Sequence, residues 1–350
     1  MNIESIILPH ILGLKPYSSA RDEFKGKEGV FLDANENALG SGLPTAYNRY
    51  PDPLAWEIKT QLAEIKHCQK EQIFLGNGSD EAIDLLIRMT CRPGQDAVLI
   101  CPPTYGMYEV SANINQAKAI TVPLDANFDL DVPKIKAALS PELKLLFLCS
   151  PNNPTGNKLS RARIVELLDH YQHGLVVVDE AYIDFSDEPS FISELEHYPH
   201  LVVLQTLSKA YGLAGLRLGM AFASSFLIGL LNKIKPPYNI NAATQTLVQQ
   251  ALGAKDFVKK SIEVLNTQKN ALISELNGIS GVKTIYPSHA NFILVVFDRA
   301  DDLFDYLIQH QVITRSRTKL SQCEGSIRIT IGTESENQAL LASINAFYAQ

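Results

Sequence analysis

Five short apolar runs, at residues 97–101, 143–149, 175–178, 201–205 and 218–223, limit the folds open to this chain more than any other feature. None shows the polar alternation of a half-exposed strand, so each reads as a strand buried on both faces. From about residue 71 such runs alternate with helical spacing. Ile73-Phe74-Leu75 is strand-like, and residues 79–89 place Ala82, Ile83, Leu85, Leu86 and Met89 on one helical face, with Ser79 as the expected N-cap. Alternation of this kind predicts a mostly parallel sheet covered by helices, an α/β fold. A chain of 350 residues also exceeds one usual hydrophobic core, so a second, smaller domain is expected.

Past Thr244 the texture changes. Residues 243–277 read as helix with a break at Gly253, followed by strands at 282–286, 292–297 and 327–331 and helices at 301–310 and from Glu334. The expected organisation is an N-terminal arm over 1–40 packing with the small domain, a large domain over 41–255 and a small α/β domain over 256–350. A net charge of -7 argues against nucleic acid as partner, since backbone phosphates are met by clustered Lys and Arg. No apolar stretch approaches the roughly 20 residues of a membrane helix. Five scattered cysteines form no C-x-x-C pair, and His170 and His173 have no third ligand nearby, so no disulfide framework or metal site is expected. Cytoplasmic residence is the default reading.

The chemistry lies at strand ends. Leu175-Val176-Val177-Val178 runs directly into Asp179, at the edge where open parallel sheets bind ligands. An aspartate there can hold a protonated ring nitrogen, or it can be a solvated strand-end acid. Thirty residues on, Lys209 lies in Thr206-Leu207-Ser208-Lys209-Ala210-Tyr211-Gly212-Leu213-Ala214-Gly215-Leu216-Arg217. A lysine in such a place can form a Schiff base with an aldehyde cofactor, while Thr206, Ser208 and Arg217 suit that cofactor's phosphate. Together these residues read as a pyridoxal 5'-phosphate (PLP) site. Gly78, Ser79 and Asp80, between a strand and a helix, are either a plain turn or part of the phosphate cup. Asn153, in the loop after 143–149, and Tyr182 are candidate donors to the cofactor's phenolic oxygen. Tyr105 either stacks on the ring or is an ordinary buried aromatic.

Asn152-Asn153-Pro154-Thr155-Gly156, Asp179-Glu180-Ala181-Tyr182 and the run from Ser208 to Arg217 resemble the fold-type I, class II aminotransferases. Lys15-Pro16-Tyr17, Asn35-Glu36-Asn37, Arg49-Tyr50-Pro51-Asp52-Pro53, Pro103-Thr104-Tyr105-Gly106-Met107-Tyr108 and Arg328-Ile329-Thr330-Ile331-Gly332 resemble the histidinol-phosphate aminotransferase branch. The resemblance implies a seven-stranded, mostly parallel PLP domain, a small domain, and a homodimer in which Tyr50 reaches the neighbouring subunit's cofactor phosphate. It implies that Lys209, Asp179 and Tyr182 are catalytic, and that Tyr17, Arg315 and Arg328 hold the substrate's anionic group. The implied reaction takes L-histidinol phosphate and 2-oxoglutarate to imidazole acetol phosphate and L-glutamate. Arg317, two residues from Arg315, could share that work or form a surface salt bridge. Threonine-phosphate decarboxylase and aromatic amino-acid aminotransferase are alternatives within the fold. A PLP-binding regulator would need a DNA-binding domain ahead of the cofactor domain.

Overall fold

The computed structural model of the chain describes residues 3–17 and 29–350. Seven strands build the large sheet: β1 Ile73–Asn77, β2 Ala97–Ile100, β3 Lys118–Thr121, β4 Leu143–Cys149, β5 Leu175–Asp179, β6 Leu201–Thr206 and β7 Leu218–Phe222. Their order across the sheet is β1-β7-β6-β5-β4-β2-β3; β7 is antiparallel to both neighbours and the other pairs are parallel. The seven-stranded, mostly parallel sheet that the resemblance implies is therefore present. β3 was not among the expected strands. It lies at the sheet edge, half exposed, and lacks the continuous apolar run that marks the others.

Alternate side chains of each central strand enter opposite apolar layers. Leu145, Phe147, Leu175, Val177, Val202 and Leu204 face one layer, and Leu146, Leu148, Val176, Val178, Leu201 and Val203 the other. The helices Ser79–Thr90, Met107–Ile114 and Ser225–Ile234 cover the first layer, and Arg161–His170 covers the second. In the first of these helices the expected cap is displaced by one residue. Gly78, at φ 76°, occupies the cap position and Ser79 is the first helical residue, because that left-handed turn favours glycine.

The helices Ala242–Leu252 and Lys255–Leu276 break at Gly253 as the sequence predicts. Beyond them β8 Val282–Ile285, β9 Phe292–Phe297, β10 Arg315–Ser316 and β11 Ser326–Thr330 form an antiparallel sheet in the order β10-β11-β9-β8. Its own core includes Leu272, Leu276, Leu303, Leu307, Ile344 and Phe347. A separate apolar cluster, Tyr182, Phe185 and Ala210 against Ala290 and Phe292, joins this unit to the large sheet. The His289 N–H donates to the Gly156 carbonyl at 2.7 Å across the same boundary.

The start of the expected N-terminal arm packs elsewhere than anticipated. Ile6, Ile7, Leu8 and Ile11 are buried in the first layer of the large sheet, where the Leu8 N–H donates to the Met89 carbonyl at 3.0 Å. These four side chains bury apolar surface beside the helix Ser79–Thr90, and no small-sheet residue belongs to that layer.

Gly219 of β7 fixes how closely this helix start approaches the sheet. A Cβ there would lie 2.1 Å from the Ser79 nitrogen and 2.2 Å from the Gly78 carbonyl carbon, both backbone atoms. Gly219→Ala is therefore expected to cost about 1–3 kcal/mol of stability, read as a lower urea midpoint. A variant as stable as wild type would show that the turn and β7 are not packed backbone to backbone.

Candidate active site

The strand ends enclose a cavity of about 1390 Å³. It is lined by Gly78, Ser79, Asp80, Tyr105, Asn153, Asp179, Tyr182, Thr206, Ser208, Lys209 and Arg217 from the large sheet, with Arg315, Arg317 and Arg328 from the small one. It opens where strand order departs from chain order: β2 leads outward to β3, and the chain returns as β4 on β2's other side. A reversal of that kind leaves a crevice at the carboxyl ends of the strands.

The apolar strand β5 delivers Asp179 to this edge at 2% exposure. Its Oδ2 accepts from the Tyr108 hydroxyl at 2.6 Å, and its Oδ1 from the Ala181 N–H at 3.1 Å. Tyr108 is itself fixed by stacking on Phe147, ring centroids 4.8 Å apart. Burial pushes the Asp179 carboxyl up to about 6, even though the two hydrogen bonds and Lys209 favour its charged form. A cationic group placed against it would restore the anion.

Opposite the acid lies a cradle for an anion. The Gly78 N–H donates to the Arg217 carbonyl at 2.7 Å, and a Cβ on Gly78 would sit 2.8 Å from an Arg217 guanidinium nitrogen. Asp80 stands 3.7 Å from that guanidinium and accepts from the Tyr105 hydroxyl at 3.0 Å, tying ring and cation together. The Ser208 N–H donates to Thr206 Oγ1 at 3.1 Å. The helix beginning at Ser79 adds first-turn N–H groups that have no partner within the helix.

Lys209 Nζ lies 5.6 Å from the Tyr182 ring centroid. Burial lowers its pKa and Arg328 pushes the same way, so more of the amine is neutral than in water. Tyr182 stands edge-on to Phe292 at 5.1 Å, and burial keeps its phenol protonated well above the ordinary range. Asn152 clamps the next loop, its Nδ2 donating to the Pro103 carbonyl at 2.8 Å and its Oδ1 accepting from Thr104 at 2.9 Å. Asn153 Oδ1 accepts from the Arg328 guanidinium, which leaves the amide nitrogen as its donor end.

Arg315 and Arg328 stand directly opposite each other on β10 and β11. The Arg328 guanidinium lies over the Phe292 ring at 5.2 Å, and its buried Nε has no acceptor. Like charges facing across a ladder are destabilising, so this pair awaits an anion.

Two expected residues lie outside the cavity. Tyr17 is 74% exposed. Tyr50 is half exposed, stacks on Tyr238 at 4.4 Å and lines a separate depression of about 520 Å³. Conversely, sequence reasoning gave Tyr108 no role. Its partner lies 71 residues away, and nothing local distinguishes it from a core aromatic. Among the described residues, no three His, Cys, Asp or Glu side chains are grouped to hold a metal ion, and no helix is long and apolar enough to cross a membrane.

The family model for aminotransferase class I and II matches residues 24–344. Over 346 residues the chain is 52% identical to the histidinol-phosphate aminotransferase of Cytophaga hutchinsonii, covering 99% of each chain. Among solved structures it is similar to the histidinol-phosphate aminotransferase from Clostridium acetobutylicum, with a TM-score of 0.80 and 22% identity over 87% of this chain and 91% of that one. The enzyme of that name from Sinorhizobium meliloti, in complex with pyridoxal-5'-phosphate, gives a TM-score of 0.78 and 24% identity over 90% of both chains.

The buried acid makes the ligand-free protein pH-sensitive in a defined direction. With its folded pKa raised to about 6 and an unfolded value of about 3.9, Asp179 binds its proton more tightly in the native state. Its contribution therefore turns unfavourable as pH rises from about 4 to about 6, by up to about 3 kcal/mol. Ligand-free Asp179→Asn should gain stability relative to wild type across that window, measured by denaturant unfolding at stepped pH. A constant difference between the two proteins would contradict a raised native pKa.

Proposed function

This chain belongs to the class I and II aminotransferase family, and we propose that it moves the amino group of L-histidinol phosphate to 2-oxoglutarate, giving imidazole acetol phosphate and glutamate in histidine biosynthesis, with pyridoxal 5'-phosphate as cofactor. One observation carries the reading: an acid and an amine at the sheet edge share a cavity with opposed arginines that pair with no carboxylate among the described residues. The full-length similarity to curated enzymes of that name supports the choice of amine.

The residues present fit this cofactor. Glycine at 78 lets the Arg217 guanidinium close in where a Cβ would lie 2.8 Å from it, and the buried Asp179 makes no salt bridge to a cation among the described residues. When bound, PLP supplies a carbonyl that condenses with amines and a ring that takes up the electron pair left when the substrate's Cα–H bond breaks. Asp179 keeps the proton on the ring nitrogen. The Lys209 amine, whose pKa burial lowers, would take the proton from the substrate Cα and hold it for return to the cofactor. Tyr182 and the Asn153 amide would hold the phenolic oxygen, and Tyr105 would pack against the ring. Thr206, Ser208, Arg217 and the backbone of Gly78, Ser79 and Asp80 hold the cofactor's phosphate.

Arg328 and Arg315 bind the substrate's anionic end, a phosphate in one half-reaction and a carboxylate in the other, and Tyr17 joins them from the N-terminal segment. Tyr50 serves the cofactor phosphate of a second subunit, in a cytoplasmic homodimer; its exposed position outside its own chain's cavity supports that role. The large domain over 41–255 thus carries the chemistry, and the small domain over 256–350 selects the substrate.

Purified protein should be yellow, and Lys209→Ala should lower transamination by more than about 10³-fold. Side-by-side turnover of L-histidinol phosphate, threonine phosphate and phenylalanine should favour the first, and only with 2-oxoglutarate as acceptor. Carbon dioxide release from threonine phosphate without an acceptor, or faster turnover of phenylalanine, would replace this reading with another.

A further inference from the structure

Resting on the function proposed above, we infer that Arg317 is a third guanidinium of the substrate's phosphate subsite, and the residue that separates a dianionic phosphate from the single side-chain carboxylate of glutamate or 2-oxoglutarate. The register places it there. Beyond the pairs Arg315↔Arg328 and Ser316↔Ile327, the Arg317 N–H donates to the Ser326 carbonyl at 2.8 Å, so the antiparallel pairing continues for one more residue. Arg315 and Arg317 then share a strand face, with Arg328 opposite Arg315 on that same face. All three line the cavity. Arg317 is half-buried, whereas Arg315 is exposed.

A salt-bridge role is not what the surroundings offer. The Arg317 guanidinium donates to the neighbouring Ser316 carbonyl at 3.2 Å, and it pairs with no carboxylate among the described residues. Asp301 and Asp305 line the same cavity from the helix Ala300–Gln309, but Asp301 Oδ1 accepts from the Thr318 hydroxyl at 2.6 Å. Burial, followed by the charges of Arg328 and Arg315, pushes the Arg317 pKa down, the mark of a desolvated cation among like charges. Such a cluster is unfavourable until an anion enters it.

The charge of that anion decides which arginines matter. A phosphate monoester carries close to two negative charges at neutral pH and three acceptor oxygens, whereas a carboxylate carries one charge and two oxygens. Arg315 and Arg328, facing each other across the ladder, offer a carboxylate one guanidinium for each oxygen. A third planar donor is engaged only by the additional charge and oxygen of the phosphate.

Holoenzyme carrying Arg317→Gln tests this, with the two half-reactions followed separately. The KM for L-histidinol phosphate should rise roughly tenfold or more with kcat little changed, while the KM for glutamate should move less than about threefold. Inorganic phosphate, as a competitive inhibitor of the glutamate half-reaction, should weaken by a similar factor, and Arg317→Lys should recover part of the loss. Equal changes in both KM values, undiminished inhibition by phosphate, or loss of glutamate turnover as well would overturn the assignment. The phosphate inhibition reads Arg317 even if wild type rejects L-histidinol phosphate, a result that would remove the proposed amine alone.

Discussion

Burial of both faces of the seven-stranded sheet is the constraint from which the rest of the structure follows. With Leu145 through Phe147 and Leu175 through Val178 enclosed on both sides, polar groups on the central strands can reach a ligand only at the strand ends. Asp179 occupies such an end. Holding it there has an energetic cost, since burial pushes its carboxyl up to about 6. The Tyr108 hydroxyl and Ala181 N–H offset part of that cost and fix the orientation of the acid. The protein thus maintains a destabilised anion where a ligand cation can relieve it, a common exchange of stability for function.

Sequence legibility followed the same division. Strands with dry faces were recognisable because an unbroken apolar run has few other uses, and the break between Ala242–Leu252 and Lys255–Leu276 was visible in Gly253. β3 escaped because one edge strand need not be apolar. The placement of Asp179 and Lys209 at the sheet edge was readable because each ends or follows such a run. Tyr108 was not, since its role depends on a contact 71 residues away that no local pattern encodes. The start of the arm packs elsewhere than expected for a related reason. Ile6, Ile7, Leu8 and Ile11 announce burial, but an apolar residue does not specify which surface will cover it.

The small sheet solves a different problem from the large one. Opposed arginines would repel in a mobile loop, whereas the antiparallel ladder between β10 and β11 holds Arg315 against Arg328 and leaves them short of negative charge. Phe292, on the adjacent strand β9, stands beneath Arg328 and also packs on Tyr182. The arginine pair of the small sheet and the strand ends of the large one are therefore joined through one aromatic ring and through the Arg328–Asn153 hydrogen bond.

That junction gives the two sheets an electrostatic connection as well as a mechanical one. After burial, Arg328 is the largest influence lowering the pKa of Lys209. An anion seated on Arg328 cancels part of its positive field, so the Lys209 amine becomes more basic when the substrate's acidic end is in place. A stronger base is of use only when there is a Cα proton to remove, and at other times the unoccupied arginine lowers the amine's hold on its proton. In the reaction proposed above, substrate recognition by the small sheet and proton transfer by the large sheet would thereby share the charge of one guanidinium.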